Sequence, residues 1–276
     1  MPDVLLATSE ERRNLWEDEF FLVDALRDRG LTVEPAVWNE PGIDWGSAKL
    51  VMLRSVFDYV EDRDGFLAWA EKVEAVTQLH NPARLIRWNS HKTYLRELEA
   101  TGVPIVPTEW VDAGAKVNLP ELLEERGWTD AVVKPTVGNG ARGAQRVTRD
   151  TAEPITAEPD LMIQPYLTAT EDPGEKALIH IGGEFTHAIL KDQMLAGREF
   201  SLDRTPRTDP DPRESELAAK VLSQVPEQPL LYARVDTLVD GDVVRLMELE
   251  VIEPVLFFTK APEAATKLAE EIASRL

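Results

Sequence analysis

The sequence predicts a mixed α/β and α+β chain: an open N-terminal α/β domain followed by two α+β lobes. Three observations carry that expectation. Up to residue 80, apolar strands alternate with amphipathic helices. In mid-chain a glycine-bearing stretch, "VGNGARGA", separates two short strands. The last third holds two hairpins and a closing helix.

In chain order, "PDVLLAT" reads as a strand. "EDEFFLVDALRDRG" reads as a helix with Leu22, Val23 and Leu26 on one face and Gly30 as its stop. "LTVEPAVW" and "AKLVMLRS" are further strands, the latter apolar enough for burial on both faces of a parallel sheet. "DRDGFLAWAEKVEAV" is a helix. In open parallel sheets ligands bind beyond the carboxyl ends of the strands. "RSVFDY" occupies such a position, so Arg54, Ser55, Asp58 and Tyr59 are candidate substrate contacts. "SHKTYLRELEATGVP" reads as a helix with Ser90 as N-cap and Gly102 and Pro104 at its end. "IVPTEWV", a helix at "LPELLEERG", and strands "DAVVKPT" and "LMIQPYL" follow. "EKALIHIGGEFTHAILK" is a hairpin turning at Gly182-Gly183. His180 and His187 are expected on its surface, and Trp16, Trp69 and Trp88 in core or lobe-interface packing. "DRTPRTDPDPRE" (203–214) reads as an exposed loop of low order, and "SELAAKVLSQV" as a helix.

The composition limits the function. The 276 residues are 43% hydrophobic and carry a formal net charge of −20. That balance argues against non-specific nucleic-acid binding, which needs clustered Lys and Arg, but leaves a nucleotide ligand open. Cysteine is absent, which excludes disulfides, thiolate nucleophiles and Cys-ligated metals. No run approaches the roughly 18 apolar residues of a membrane span, and "MPDVLLATSEERR" lacks the features of a signal peptide. A soluble cytoplasmic protein, and a homodimer as the commonest assembly, are expected.

The chemistry concentrates in the final hairpin, "LLYARVDTLV-DGD-VVRLMELEV". Side chains alternate along a strand, so Glu248 and Glu250 share a face with Leu246, opposite Met247, Leu249 and Val251. A three-residue loop, Asp240-Gly241-Asp242, pairs Arg234 with Glu248. Arg234, Asp236, Glu248 and Glu250 then project from one surface. Three carboxylates and one arginine there repel unless cations neutralise them, and an oxygen-rich set suits Mg²⁺. The second feature is "VVKPTVGNGARGA". Lys134 ends an apolar strand, and Gly138, Gly140 and Gly143 permit backbone N–H groups to approach phosphates. It is neither a Walker loop nor a dinucleotide fingerprint.

Over roughly residues 50–258 the chain resembles the ATP-grasp superfamily of carboxylate–amine ligases. The resemblance lies in "NSHKTYLRELEATGVPIVPT", "VVKP", "MIQPYL", "YARVD" and "MELEVIEP", in that order. Within the superfamily, "RSVFDY", "RWNSHK", "LYARVD" and "MELEVIEP" are most similar to the O-ureido-serine cyclo-ligases and their relatives. The resemblance implies an ATP-grasp fold in which two lobes clamp ATP, with domains at 1–88, 89–166 (a lid) and 167–276 (a metal-bearing base). It implies that Lys92 and Lys134 hold phosphates and that the loop Gly138, Asn139, Gly140, Ala141 and Arg142 closes over them. Gln164, Pro165, Tyr166 and Leu167 would meet adenine. Glu175, with Glu171 as rival, would bind ribose. Lys191 would be a third phosphate contact, and Arg234 would steady the phosphorylated or tetrahedral species. Asp236 and Glu248 would bridge two Mg²⁺ ions. Glu250 stands where the superfamily usually has Asn, and Glu253 would face substrate or solvent. The implied reaction activates a small, amino-acid-like carboxylate as an acyl phosphate for attack by nitrogen. A kinase of the same fold and a non-catalytic nucleotide binder are the alternatives.

Overall fold

The computed structural model describes residues 1–192 and 200–276. The N-terminal part comprises β1 (Val4–Thr8), α1 (Glu17–Arg27), β2 (Val33–Val37), β3 (Leu50–Leu53), α2 (Arg63–Glu74) and β4 (Gln78–His80). Its four strands are all parallel, in the order β2-β1-β3-β4. β1 and β3 are buried along their whole length, as the central strands of a sheet covered on both faces must be. β2 contains Pro35, which has no N–H to donate, and lies at the edge. Alternate residues of β1 feed two cores. Val4 and Leu6 meet Leu22 and Leu26 of α1, whereas Leu5 and Ala7 face the cluster of Trp38, Phe66 and Trp69. β4 is a strand that the sequence pattern does not reveal: three residues, "QLH", are too few to show a period.

α3 (Ala83–Asn89) and α4 (Tyr94–Ala100) follow. Ser90 closes α3 and does not cap α4, whose preceding residue is Thr93; the Ser90 hydroxyl donates to the Arg87 carbonyl and accepts from Arg63. Next come β5 (Glu109–Val111), β6 (Lys116–Val117), α5 (Leu119–Arg126), β7 (Asp130–Pro135), β8 (Gln145–Thr148), β9 (Ile155–Thr156) and β10 (Leu161–Pro165). They form an antiparallel sheet, β5-β10-β7-β8, and a small β6-β9 ribbon, over a compact core that includes Leu119, Leu123 and Ile163.

The third unit contains β11 (Lys176–Ile181), β12 (Glu184–Leu190), β13 (Arg207–Thr208), α6 (Pro212–Ser223), β14 (Tyr232–Asp240), β15 (Val243–Glu250) and α7 (Pro262–Ala273). The antiparallel order is β13-β12-β11-β14-β15. One face of this sheet packs on α4 and α6, through residues such as Leu98, Leu217, Val235 and Leu249. The other packs Ile179 and Tyr232 toward α7 and α1. The Gly182-Gly183 turn is as expected, both residues having positive φ. Residues 203–214 are more ordered than their composition predicts. Asp211 and Glu214 form a capping box at the start of α6, and Glu214 also binds Lys176 and Thr237. His180 and His187 are buried rather than superficial, His187 Nε2 lying 3.0 Å from the Leu256 carbonyl oxygen. No helix among the described residues is long and apolar enough to cross a membrane.

Candidate active site

The β14–β15 hairpin brings its acids together by a route that strict alternation does not predict. The turn is two residues, Gly241 and Asp242, between the paired Asp240 and Val243. A turn of that length alone would set Asp236 opposite Met247. A bulge at Met247 restores the parity, so that Asp236 pairs with Glu248 and Arg234 with Glu250. The same bulge turns Leu246 into the core beside Leu249 instead of onto the acidic face. β15 is an edge strand, and side chains occupy its free edge. Tyr94 Oη accepts from Leu249 N at 2.9 Å and lies 3.0 Å from Leu249 O. The Asn89 carboxamide bonds Leu249 O and Val251 N at 2.8 and 3.2 Å. α3 and α4 thereby fix where Glu248 and Glu250 project.

Asp236, Glu248 and Glu250 each present a carboxylate oxygen within 4.8 Å of the others. Three cations stand among them. Arg234 holds both oxygens of Asp236, at 2.8 and 2.9 Å, and pairs with Glu250. Lys191 reaches Asp236 at 2.6 Å and Glu175 at 2.5 Å. Lys92 pairs with Glu248 and donates to the Gly138 carbonyl at 3.0 Å. Burial opposes ionisation of Asp236, but Arg234 and Lys191 outweigh it and hold the carboxyl at about 2. For Glu248 burial is likewise outweighed, by Lys92, Lys134 and Lys191, and its pKa is lowered. Glu250 behaves oppositely. Burial, with Glu248 and Asp236 nearby, pushes it up to about 7 against the pull of Arg234. Burial and Glu250 raise Glu253 to about 8. Burial lowers the pKa of Lys134 despite nearby Glu248. The oxygen-only donor set suits a hard divalent cation.

The glycine-bearing segment lies over this cluster. Gly140 and Gly143 adopt left-handed φ of 56° and 76°, and a Cβ on Gly143 would stand 3.3 Å from the Pro135 ring. Ala141 shares the left-handed conformation, with φ 58°. A narrow cleft beneath is lined by Tyr59, Ser90, Lys92, Asn139, Glu250 and Glu253, among others. Arg142 leans outward to pair with Glu61 at 2.8 Å.

The remaining candidates divide. Gln164 is buried, its Nε2 donating to Thr108 Oγ1 at 2.9 Å. Tyr166 donates to Glu171 at 2.5 Å beneath the Arg146 guanidinium, which lies 3.5 Å from the ring centroid. Pro165 ends β10 and pairs with Ala131, and Leu167 follows, its carbonyl accepting from Thr170. Glu175 lies in the Lys191–Asp236 network. Of the four candidates in "RSVFDY", Tyr59 lines the cleft. Asp58 accepts from the Trp38 indole at 2.7 Å. Arg54 and Ser55 are buried elsewhere. Ser55 donates to Glu19 at 2.7 Å; Arg54 donates to the Pro254 carbonyl at 3.1 Å and lies 3.4 Å from Glu19. Asn89, Tyr94 and Glu19 escape a reading of the sequence, because an Asn or Tyr on a helix signals nothing until the edge strand it serves is in place.

Known structures share this architecture. D-alanine–D-alanine ligase from Bacillus anthracis, complexed with ATP, superposes over 99% of this chain and 97% of its own with a TM-score of 0.67 at 13% identity. The ATP-grasp ligase PsnB, complexed with a phosphomimetic variant of its minimal precursor, Mg and ADP, gives 0.64 at 16% identity, over 100% and 99% of the two chains. The fold is ATP-grasp. Residues 4–81 match the family model of the D-cycloserine synthetase DcsG N-terminal domain. The crystal structure of D-cycloserine synthetase DcsG superposes with a TM-score of 0.88 at 29% identity, over 99% of both chains. The cycloserine biosynthesis protein DcsG of Streptomyces lavendulae is 32% identical over 277 residues, covering 92% of each chain. The chain belongs to the DcsG family of ATP-grasp ligases. It is a ligase, an enzyme that forms carbon–nitrogen bonds with ATP and Mg²⁺.

Proposed function

We propose that the substrate is a small amino-acid-like molecule carrying both the carboxylate and the attacking nitrogen, so that the product is a ring. The likeness to the cycloserine-forming relative along nearly its whole length supports this reading. The observation that carries the chemistry is the convergence of Asp236, Glu248 and Glu250 among Arg234, Lys191 and Lys92 beneath the glycine segment.

In this proposal Asp236, Glu248 and Glu250 would hold two Mg²⁺ ions, and those ions when bound would spread the charge of the triphosphate. Lys92, Lys134 and Lys191 act as point charges on phosphate oxygens. Residues 138–142 cover the phosphates. Gln164, Pro165, Tyr166 and Leu167 line the adenine end, and Glu175 turns from Lys191 to the ribose. Tyr59 and Glu253 form the acceptor wall. Residues 1–88, 89–166 and 167–276 serve as substrate lobe, lid and base, with α4 anchoring the lid span on the base sheet. A carboxylate oxygen of the substrate attacks the γ-phosphorus and the bond to the β–γ bridging oxygen breaks, leaving ADP. The nitrogen then attacks the acyl carbon, Arg234 steadies the tetrahedral oxyanion, phosphate leaves and the nitrogen loses its proton. No protein nucleophile is required; the work is positioning and electrostatics.

The test is a panel of small amino acids bearing a second nitrogen group, assayed for ADP release and product mass. A productive substrate gives one ADP per product lighter than itself by one water. Hydroxylamine present during turnover yields a hydroxamate. ADP formation with a phosphorylated hydroxyl and no hydroxamate overturns the ligase chemistry proposed for this site.

A further inference from the structure

Asn139 makes contacts that cradling a phosphate does not require. Its Nδ2 donates to the Phe57 carbonyl at 2.8 Å and to Glu253 Oε1 at 3.1 Å. Phe57 belongs to the segment that follows β3 in the N-terminal α/β unit. Glu253 follows β15, three residues beyond Glu250. One carboxamide therefore joins the nucleotide-side loop to both walls of the cleft. The neighbouring residue is fixed from the opposite side, Gly138 O accepting from Lys92, which also pairs with Glu248. Among the described residues the exposed Arg142–Glu61 pair adds a further tie between the loop and the N-terminal unit, and exposed pairs contribute little. Asn139 is part-buried and its carboxamide makes two hydrogen bonds, so it is the stronger of the two ties.

We infer that Asn139 is a positioning residue that couples the nucleotide to the acceptor side of the cleft. When residues 136–144 settle over the triphosphate, the Asn139 carboxamide holds the Phe57 carbonyl and orients Glu253, so that the wall formed by Tyr59 and Glu253 takes shape at the same moment. Acceptor binding and ATP binding thus favour one another, as linkage requires of any such contact. The inference rests on the proposed placement of nucleotide and acceptor.

Hydrogen exchange of the full chain, with and without AMPPNP and Mg²⁺, tests it without knowledge of the acceptor. In the unsubstituted protein the nucleotide analogue should slow exchange over 136–144 and also over 54–61, the latter by about fivefold or more, the lower end of ordinary site-to-site coupling. In Asn139→Ala protection over 136–144 should persist while that over 54–61 is lost. Asn139→Asp, which removes both donors and sets a carboxylate against Glu253, should weaken protection of both segments. Equal protection of 54–61 in Asn139→Ala and the unsubstituted protein overturns the coupling and leaves the nucleotide site standing. Failure of the analogue to protect 136–144 in the unsubstituted protein overturns the nucleotide placement and the coupling together.

Discussion

Two buried charge clusters lie on either side of the 253–259 segment, and they are built differently. In the cleft, Asp236, Glu248 and Glu250 have Arg234, Lys191 and Lys92 among them, and each acid has a cationic partner. In the other, Arg54 sits between α1 and the Pro254 carbonyl with two acids, Asp18 and Glu19. Among the described residues, Arg54 Nε and Nη1 and Asp18 Oδ2 have no hydrogen-bond partner. Burial raises the pKa of both acids, although Arg54 pulls them down. The other contacts of this cluster are structural. Asp18 accepts from Thr259 N at 2.9 Å, Glu19 from Ser55, and Arg54 lies 5.8 Å from the Tyr232 ring centroid. The difference teaches what each cluster is for. Acids that line the cleft beside Lys92 and Lys191 can, in the proposed function, exchange those partners for a metal and a triphosphate. Asp18 and Glu19, with Arg54 beside them, tie α1 and the end of β3 to the chain that leaves β15.

Substitutions sharpen that contrast, and the largest expected effect is on the cleft. Glu248→Gln should lower ligase turnover by on the order of 10²–10³-fold, since a proposed carboxylate ligand of the magnesium is lost. Far-UV circular dichroism should be unchanged. Next, Arg54→Met removes the one cation that stands beside Glu19 among the described residues. Deleting one partner of a buried pair costs about 3–5 kcal/mol. Urea unfolding should show that loss, and Glu248→Gln should not.

A smaller effect is the pH dependence of Mg²⁺ binding. Glu250, raised to about 7, is largely protonated at pH 6 and largely ionised at pH 8. A metal binds the carboxylate and expels the proton. Affinity should therefore rise with pH across this window, up to about tenfold per unit below the pKa for a single proton. Calorimetry in buffers of different ionisation enthalpy should detect proton release near pH 7. Glu250→Asn should abolish the Glu250 share of both. The smallest effect is Arg142→Ala: the pair with Glu61 is exposed, and its loss should change stability by less than about 1 kcal/mol.

The same contrast explains what the sequence makes legible. Alternation along "MELEV" and "YARVD" points to an acidic face, because period-2 patterning is local. The bulge at Met247 is not local. It sits where Tyr94 and Asn89, residues more than 150 positions away, grip the outer edge of β15. The two departures, a shorter turn and an extra residue, cancel, so the expected face survives an incorrect register. Position in an open sheet draws attention to Arg54 and Ser55, but their direction is set by Glu19 and Pro254, which nothing in "RSVFDY" announces. The parallel sheet, the Gly182-Gly183 hairpin and the closing helix are legible because each has a strong short-range signal. β4 and the capped start of α6 are not, the first for its shortness and the second because its proline-rich approach resembles disorder. Tyr59, Asn139 and Glu253 converge only through packing between units.

The account rests on Asp236, Glu248 and Glu250 holding magnesium beside the triphosphate. The most direct measurement is the affinity of AMPPNP with and without Mg²⁺, in the unsubstituted protein and in Glu248→Gln. The account predicts strong magnesium dependence in the former and its near-complete loss in the latter. Undiminished magnesium dependence in Glu248→Gln would contradict it.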